Sequence, residues 1–144
     1  MKLEEIQELW SKDCRIDQYS LEAESLKTPQ LHNKYLKLYS QERVRYHKLC
    51  SDRKQLVRFK TEYYLGDLNN PEDLKQYNIE PWLKKVLKTD VGTYVYGDKD
   101  VIQINLKIAL LEEKISYVES ILKSINGRNW EIRNAIEFLK FTNP

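Results

Sequence analysis

Glycine, proline and cysteine are all scarce in this sequence. Among 144 residues there are four glycines, four prolines and two cysteines. Because glycine and proline supply most tight turns, so few of them favour long helices over a turn-rich sheet. The two cysteines, Cys14 and Cys50, do not make the disulfide framework of a small secreted domain.

Long apolar runs are absent as well. No stretch reaches the roughly 18 apolar residues that a membrane-spanning helix requires. The N-terminus, from Met1 to Glu5, is acidic and lacks the apolar core of a signal peptide. Hydrophobic residues make up 41% of the chain and charged residues 32%, which is typical of a folded protein with a charged surface. We therefore expect a cytoplasmic protein without membrane contact.

Recognisable catalytic chemistry is also missing. The four glycines do not fit the phosphate-binding pattern G-x-x-x-x-G-K-[ST]. Neighbouring acids such as Glu112 and Glu113 have no partner motif for acid–base catalysis. His47 and Cys50 lie one helical turn apart, but two ligands without a second pair are more typical of packed or solvated side chains than of a metal site. The sequence predicts no enzyme, no cofactor and no metal.

The most informative stretch that is present covers residues 28–66. Thr28 and Pro29 form a helix-start signal, and Gly66 suits the residue that ends a helix. No proline or glycine lies between Pro29 and Gly66. The pattern predicts one continuous helix about 50 Å long, at about 1.5 Å per residue.

This predicted helix concentrates the positive charge of the protein. Residues 27–64 contain ten Lys or Arg and three acids, a net charge of +7, in a chain whose net charge is +2. At helical spacing Arg43, His47, Lys54 and Arg58 form one stripe, whereas Arg53 and Lys60 fall within the apolar sector. Clustered cations with interleaved tyrosines are typical of nucleic-acid binding. The alternative is a solvated helix face.

The remaining chain also indicates helices, with a less regular middle part. Short amphipathic helices are predicted at residues 3–10 and near 21–27. A short helix from Pro71 to Tyr77 has Asn70 as its cap, residues 81–88 allow another, and residues 93–96 are strand-forming. Residues 100–126 read as a second long helix, ended by Asn126 and Gly127, and Asn129 then caps a third.

The last two predicted helices would form an αα-hairpin with a long apolar face. The basic helix offers only one stripe to cover that face, so we expect it to contact another copy of the chain. The predicted divisions are an N-terminal helical DNA-binding region (1–66), an irregular connecting segment (67–100) and a C-terminal helical hairpin for oligomerisation (101–144).

Four pieces of the sequence, in order, resemble a known family. They are LEEIQELWSKD at residues 3–13 with Ile16-Asp17, the basic run 54–64 followed by Leu65-Gly66, DKDV at residues 98–101, and a C-terminal stretch from 121 to 141 that contains Arg128, Trp130 and Ile132. Together they resemble the UvsY family, the recombination mediator proteins of T4-like bacteriophages. The resemblance extends over nearly the whole chain.

The resemblance implies a fold, a function and partners. It implies an all-α protein in which a long basic helix packs with short N-terminal helices and precedes a C-terminal helical hairpin, assembled as a ring-like homo-oligomer of six or seven chains. It implies binding to single-stranded DNA and assistance to a UvsX-type recombinase in displacing the phage single-strand binding protein. Such a protein is phage-encoded, non-virion, acts in the host-cell cytoplasm and needs no cofactor.

The resemblance and the helical pattern together give the candidate DNA contacts. The family has a basic pair, two residues apart, just before a double tyrosine, and these positions are Arg58 and Lys60 here, with the order of the two residue types reversed. Lys54 and Arg43 follow from the stripe alone. Arg53 and Lys60, misplaced for a core, would face a neighbouring subunit or the DNA.

Tyrosines and protein partners leave two questions open. Tyr63 and Tyr64 either stack on bases or pack in the core, whereas Tyr46 is expected to pack. The whole protein could instead be a helical scaffold or adaptor whose basic helix binds an acidic protein partner and not DNA. Alanine at Arg58 and Lys60 separates the two functions.

Overall fold

A computed structural model of the protein describes residues 1–68 and 70–143, and the secondary structure in these ranges is entirely helical. The helices are α1 (Leu3–Asp13), α2 (Leu21–Tyr64), α3 (Pro71–Gln76), α4 (Val91–Tyr96) and α5 (Lys99–Thr142). The predicted all-α fold class is therefore confirmed. Nowhere in the described part is a helix long and apolar enough to cross a membrane.

The chain divides into two compact units. The terminal unit comprises residues 1–45 and the chain from Leu111 onward, and the middle unit comprises residues 46–110. Both α2 and α5 contribute a segment to each unit. These units do not follow the three consecutive segments predicted from the sequence, because the contacts join residues far apart along the chain.

The terminal unit has a core shared by α1, α2 and α5. Ile6, Tyr35, Val118, Ile121 and Ile125 form its buried cluster. Each of these side chains is no more than 2% exposed. Fully burying an aliphatic side chain of this size contributes about 1.5–3 kcal/mol, so this cluster is the main support of the unit.

Helix α2 begins earlier than the sequence predicts. It starts at Leu21 and passes through Pro29 without interruption, so the predicted start at Thr28 and the separate helix near residues 21–27 were wrong. Thr28 Oγ1 does not cap a helix here but donates to Asn129 Oδ1 at 2.6 Å. A proline inside a helix costs about 3 kcal/mol. Contacts with α5 on this turn, described below, offset that cost.

The C-terminal end of α2 lies next to Gly66, as the sequence predicts. Gly66 has a φ of +84°, the left-handed region that glycine adopts without strain. The N–H of Asp67 donates to the carbonyl of Glu62 at 2.9 Å, and the N–H of Gly66 to that of Tyr63 at 3.1 Å. These two bonds are the Schellman motif.

The predicted C-terminal hairpin was wrong. Helix α5 runs from Lys99 to Thr142 and contains Gly127 in its interior. A mid-helix glycine costs roughly 0.5–1 kcal/mol, which is less than the burial of the flanking Ile125 and Ile132 contributes. The antiparallel partner of α5 is instead α2, because Thr28 contacts Asn129 and Tyr39, later on α2, contacts Glu119, earlier on α5.

The apolar seam of α5 is covered within the chain. Val118, Ile121 and Ile125 are buried in the terminal unit, and Val101 and Ile108 are buried in the middle unit. The expectation that this face needs another copy of the chain was therefore wrong. The ring-like oligomer itself stays a prediction. Exposed aromatic residues near the end of α5, Trp130, Phe138 and Phe141, are other candidates for contacts between chains.

Two short helices lie in the middle unit between α2 and α5. Asn70 caps α3 as predicted, with its side-chain oxygen accepting from the N–H of Glu72 at 3.1 Å. Residues 93–96 are helical, within α4, although their types favour strands. Burial of Val95, which is 1% exposed, outweighs that local preference. Residues 81–88 form no helix, and the like charges of Lys84 and Lys88 at i, i+4 disfavour one.

Candidate nucleic-acid interface

The middle unit presents an exposed basic stripe on α2, formed by His47, Lys54 and Arg58. All three side chains are exposed. At 100° per residue they fall within one narrow sector of the helix, and Lys54 and Arg58 are about 6 Å apart along its axis. This face therefore carries adjacent cations that an external anion can reach.

Arg58 and Lys54 are both available to a ligand. The side chain of Arg58 is 83% exposed, and its Nε lies 3.4 Å from Glu62 Oε1. An exposed pair of this kind contributes about 1 kcal/mol or less, so a phosphate can replace Glu62. Lys54 makes no ion pair with any residue that the structure describes.

Lys60 has a different environment from Arg58. Its side chain is only 7% exposed, and its ammonium lies 3.2 Å from Asp98 Oδ2 and 2.9 Å from Asp100 Oδ2. Tyr64 Oη donates to the same Asp98 oxygen at 2.5 Å. We call these four residues the Lys60 cluster. It joins the end of α2 to the start of α5 within the middle unit.

Electrostatics within the Lys60 cluster favour the charged forms of Asp98 and Lys60 and the neutral form of Tyr64. Burial raises the pKa of Asp98, but hydrogen bonds from Tyr64, the Asp100 backbone and Lys60 outweigh burial and hold that pKa below its usual value. Burial lowers the pKa of Lys60, and the bonds to Asp100 and Asp98 outweigh it and raise that pKa. For Tyr64, burial and the bond to Asp98 both raise the pKa. The ammonium of Lys60 is thus protonated, and its charge is already balanced by Asp98 and Asp100.

The double tyrosine packs inside the middle unit. Tyr64 lies edge-on to Trp82, with ring centroids 4.7 Å apart. Tyr63 contacts Tyr64 at 5.2 Å, and Trp82 contacts Tyr94 at 5.9 Å. The hydroxyl of Tyr63 donates to the carbonyl oxygen of Glu80 at 2.6 Å. Tyr63 and Tyr64 were predicted either to stack on bases or to pack in the core, and these contacts are packing contacts.

Arg53 and Arg43 are the remaining predicted contacts, and each has a partner inside the chain. Arg53 is half-buried and donates to Asn105 Oδ1 at 3.2 Å. Arg53 and Lys60, expected to face a neighbour or DNA, thus have partners inside their own chain. Arg43 is exposed and belongs to the terminal unit, where its guanidinium donates to Tyr39 Oη at 3.0 Å. The DNA contacts themselves stay predictions for all of these residues.

Two features of the middle unit were missed by sequence reasoning. The first is the pairing of Lys60 with Asp98 and Asp100, although the sequence Asp98-Lys99-Asp100 was noticeable as a cluster of acids. The second is the group Lys84, Lys85 and Lys88. Their signal was a run from 81 to 89 that holds three lysines and no acid. Across the described ranges, no group of three or more metal-binding side chains comes together.

Comparisons with known proteins identify a family for this chain. A model of the family described as recombination, repair and ssDNA binding protein UvsY matches residues 9–144. The recombination protein uvsY of Enterobacteria phage T4 is 23% identical over 141 residues, which cover 98% of this chain and 97% of that one.

Solved structures show the same fold. One crystal structure of the bacteriophage T4 recombination mediator protein UvsY matches with a TM-score of 0.85 at 22% identity, covering 100% of this chain and 99% of that one. A second crystal form matches with a TM-score of 0.83 at 20% identity, covering 96% and 98%. The family match extends over almost the whole sequence and confirms the predicted resemblance. This chain therefore belongs to the UvsY family of recombination, repair and single-stranded-DNA-binding proteins.

Proposed function

We propose that this protein is a recombination mediator that binds single-stranded DNA through Lys54 and Arg58. The observation that carries the proposal is the contrast between neighbouring cations on α2. Arg58 is exposed and weakly paired, whereas Lys60 is buried between two carboxylates. In this proposal Lys60 fixes the structure of the middle unit, and Lys54 and Arg58 contact the phosphates.

Phosphate binding by these side chains is favourable on electrostatic grounds. Each phosphate neutralised by a cation releases condensed counterions, so affinity falls as salt rises. For a single strand, each contact lowers the logarithm of the affinity by about 0.7 for every tenfold increase in salt. The guanidinium of Arg58 adds a planar set of donors that can bind phosphate oxygens in pairs. Neither interaction reads the base sequence, as a protein that coats any strand requires.

The mediator role follows from binding alone. We propose that the protein holds the strand in a form that a UvsX-type recombinase binds better than the phage single-strand binding protein does. Because the protein has no motor, it shifts this equilibrium only through its different affinities for the two forms. The T4 protein with the same fold, solved in both crystal forms, is a recombination mediator, which supports this assignment. The site of action would be the host-cell cytoplasm.

Alanine at Lys54 and Arg58 tests the DNA contact. We expect Lys54→Ala/Arg58→Ala to lower the affinity for a fluorescent oligo-dT strand at least about tenfold, equivalent to about 1.4 kcal/mol. The salt dependence should decrease by about 1.4 log units per log unit of salt, because two contacts are lost. Fluorescence anisotropy between about 50 and 200 mM salt measures both quantities.

Lys107→Ala, which removes one positive charge from the same unit, is the control for this experiment. Lys107 is an exposed lysine of the same unit and makes no ion pair with any residue in the described ranges. Its loss should leave affinity nearly unchanged. If Lys107→Ala lowers affinity as much as Lys54→Ala/Arg58→Ala does, the loss reflects the net charge of the protein and not a DNA contact at Lys54 and Arg58. No binding by the wild type would favour the scaffold that binds an acidic protein partner.

We also propose that the protein assembles through the end of α5. Trp130, Phe138 and Phe141 are 68%, 65% and 85% exposed and fall on one side of the helix. Large aromatic side chains are enriched at the centres of interfaces, where truncating one of the few dominant residues costs about 2 kcal/mol or more. A homo-oligomer of six or seven chains would also multiply the basic stripe and raise the overall affinity for a strand.

Serine at these aromatic positions tests the assembly. We expect Trp130→Ser/Phe138→Ser/Phe141→Ser to have the mass of a smaller species by light scattering, with its helical circular dichroism unchanged. Leu36→Ser/Val44→Ser is the control, since these residues of the same unit are also exposed. An unchanged mass for the aromatic variant would contradict this interface.

A further inference from the structure

We propose that residues 81–88, the lysine segment, form a second contact for single-stranded DNA. The segment connects α3 and α4 in the middle unit and carries Lys84, Lys85 and Lys88, all exposed. It contains no acidic residue, and its net charge is +3. The proposal deepens the proposed function and rests on it, because it adds a site to the same DNA-binding activity.

The backbone of the lysine segment is held at both ends. Next to its start, the carbonyl oxygen of Glu80 accepts from Tyr63 Oη at 2.6 Å. The ring of Trp82 packs against Tyr64 and Tyr94. At its end, the carbonyl of Leu87 accepts from the N–H groups of Asp90 and Val91, at 2.9 and 3.0 Å. The lysines therefore extend from a fixed support, and binding does not need to order the whole segment first.

The three lysines have their charges available. None makes an ion pair with any residue in the part of the chain that the structure describes. Lys84 Nζ lies 4.9 Å from the centroid of the Tyr94 ring, a cation–π contact that leaves its hydrogen-bond donors unused by carboxylates. Lys60, by contrast, is neutralised in place.

The surface beside the lysines combines cations with apolar groups. Lys84, Lys85, Leu87 and Tyr94 contribute to the lining of a depression of about 510 Å³, together with Asp90, whose single negative charge the two lysines outweigh. Next to it, Leu83 is 92% exposed. A nucleic-acid strand presents a phosphate and a flat apolar base face in every nucleotide, so lysine donors beside an aromatic ring fit both parts. An acidic peptide offers the charge without the base faces.

The lysine segment is attached, through the bond from Tyr63 to Glu80, to the same helix that carries the basic stripe. Tyr63, which holds Glu80, lies five residues beyond Arg58 on the same helix, or about 7.5 Å along its axis. At 100° per residue Tyr63 is rotated by about 140° from Arg58, so a strand that reaches both contacts passes around the end of α2. A strand that contacts both gains the second contact at little extra entropic cost, as linked sites do.

A lysine-to-alanine variant tests the proposal on the full-length protein. We expect Lys84→Ala/Lys85→Ala/Lys88→Ala to lower the affinity for oligo-dT at least about tenfold. Its salt dependence should decrease by about 2 log units per log unit of salt, because three phosphate contacts are lost. The corresponding three lysine-to-arginine substitutions should keep wild-type affinity, since the charges remain.

The control removes the same charge from the same unit. Lys75→Ala/Lys99→Ala/Lys107→Ala replaces three other exposed lysines of the middle unit. Equal losses for the two triple variants would overturn the proposal. So would an unchanged affinity of Lys84→Ala/Lys85→Ala/Lys88→Ala while Lys54→Ala/Arg58→Ala loses binding, a result that leaves the proposed function intact. Polyglutamate serves as a model of an acidic protein partner. If Lys84→Ala/Lys85→Ala/Lys88→Ala loses binding to polyglutamate but keeps its affinity for oligo-dT, the lysine segment binds an acidic protein, and the proposal is also overturned.

Photochemical cross-linking gives a second readout that does not depend on affinity. An oligonucleotide containing 5-iodo-deoxyuridine, cross-linked to the wild type and mapped by mass spectrometry, should modify the peptide that holds Trp82 and Tyr94. Cross-links confined to peptides outside residues 81–96 would contradict the second contact. Failure of wild-type protein to bind or cross-link at all would instead refute the proposed function.

Discussion

Arg128→Ala is expected to lower the free energy of unfolding by about 3–5 kcal/mol, the loss that follows when one partner of a buried ion pair is removed. Arg128 is 4% exposed. Its guanidinium donates to the carboxylate of Glu24 at 2.5 Å, to the carbonyl oxygen of Glu24, and to Thr28 Oγ1 at 2.7 Å. The substitution leaves the buried Glu24 carboxylate with Lys27 alone. Urea denaturation measures the change.

Two further variants make this prediction specific. Arg133→Ala should change stability by less than about 0.5 kcal/mol, because Arg133 is exposed on the same helix. Glu24→Met/Arg128→Met should cost less than Arg128→Ala, because it removes both charges together. A loss below 1 kcal/mol for Arg128→Ala would contradict the argument that this pair holds α2 and α5 together across Pro29 and Gly127.

Lys60→Met is expected to destabilise the protein by about 2–3 kcal/mol. The substitution keeps the volume of the side chain but leaves the buried Asp98 without its cation. Asp100 is 66% exposed at its side chain and can be solvated, so the loss should lie below the range for a fully buried cluster. Thermal and urea unfolding at pH 7 measure this effect.

A double-mutant cycle identifies the partner of Lys60. Adding Asp98→Asn to Lys60→Met should recover part of the lost stability, because the unpaired charge is removed. Lys107→Met, on the exposed face of α5 in the same unit, should be close to neutral. Simple additivity of Lys60→Met and Asp98→Asn would show that the two side chains do not interact.

Local signals in the sequence were sufficient where local geometry decides the structure. The left-handed φ that a helix-ending Schellman motif requires is available to Gly66 at little cost, so the end of α2 could be predicted. Asn70 followed by Pro71 is a helix start of the same local kind. The scarcity of glycine and proline correctly indicated an all-helical protein.

Local signals failed where distant contacts are stronger. Pro29 and Gly127 each predicted a break, and each lies within a continuous helix. The decisive contacts there join Glu24 and Thr28 to Arg128 and Asn129, about a hundred positions away in the sequence. A penalty of about 1–3 kcal/mol for glycine or proline is smaller than the loss expected on breaking such a network.

The candidate site shows the same limit more clearly. Counting charges on α2 treats Arg58 and Lys60 alike, and helical spacing alone places Lys60 toward the apolar side. Its partners, Asp98 and Asp100, follow 38 and 40 positions later in the sequence, so no local pattern reveals them. The family resemblance located the basic pair, and the structure then separates an exposed member from a buried one.

We expect Arg58 to contact DNA and Lys60 to support the fold, and one titration separates these two roles. The variant Lys60→Met/Asp98→Asn/Asp100→Asn removes every charge of the Lys60 cluster, so no unpaired acid remains to repel the strand. In an anisotropy titration with oligo-dT, at equal oligomeric mass, we expect it to keep wild-type affinity within about threefold, or about 0.7 kcal/mol. Arg58→Ala should lose affinity in parallel. A loss of tenfold or more by the Lys60 cluster variant, with Arg58→Ala unchanged, would show that Lys60 and not Arg58 is the DNA contact.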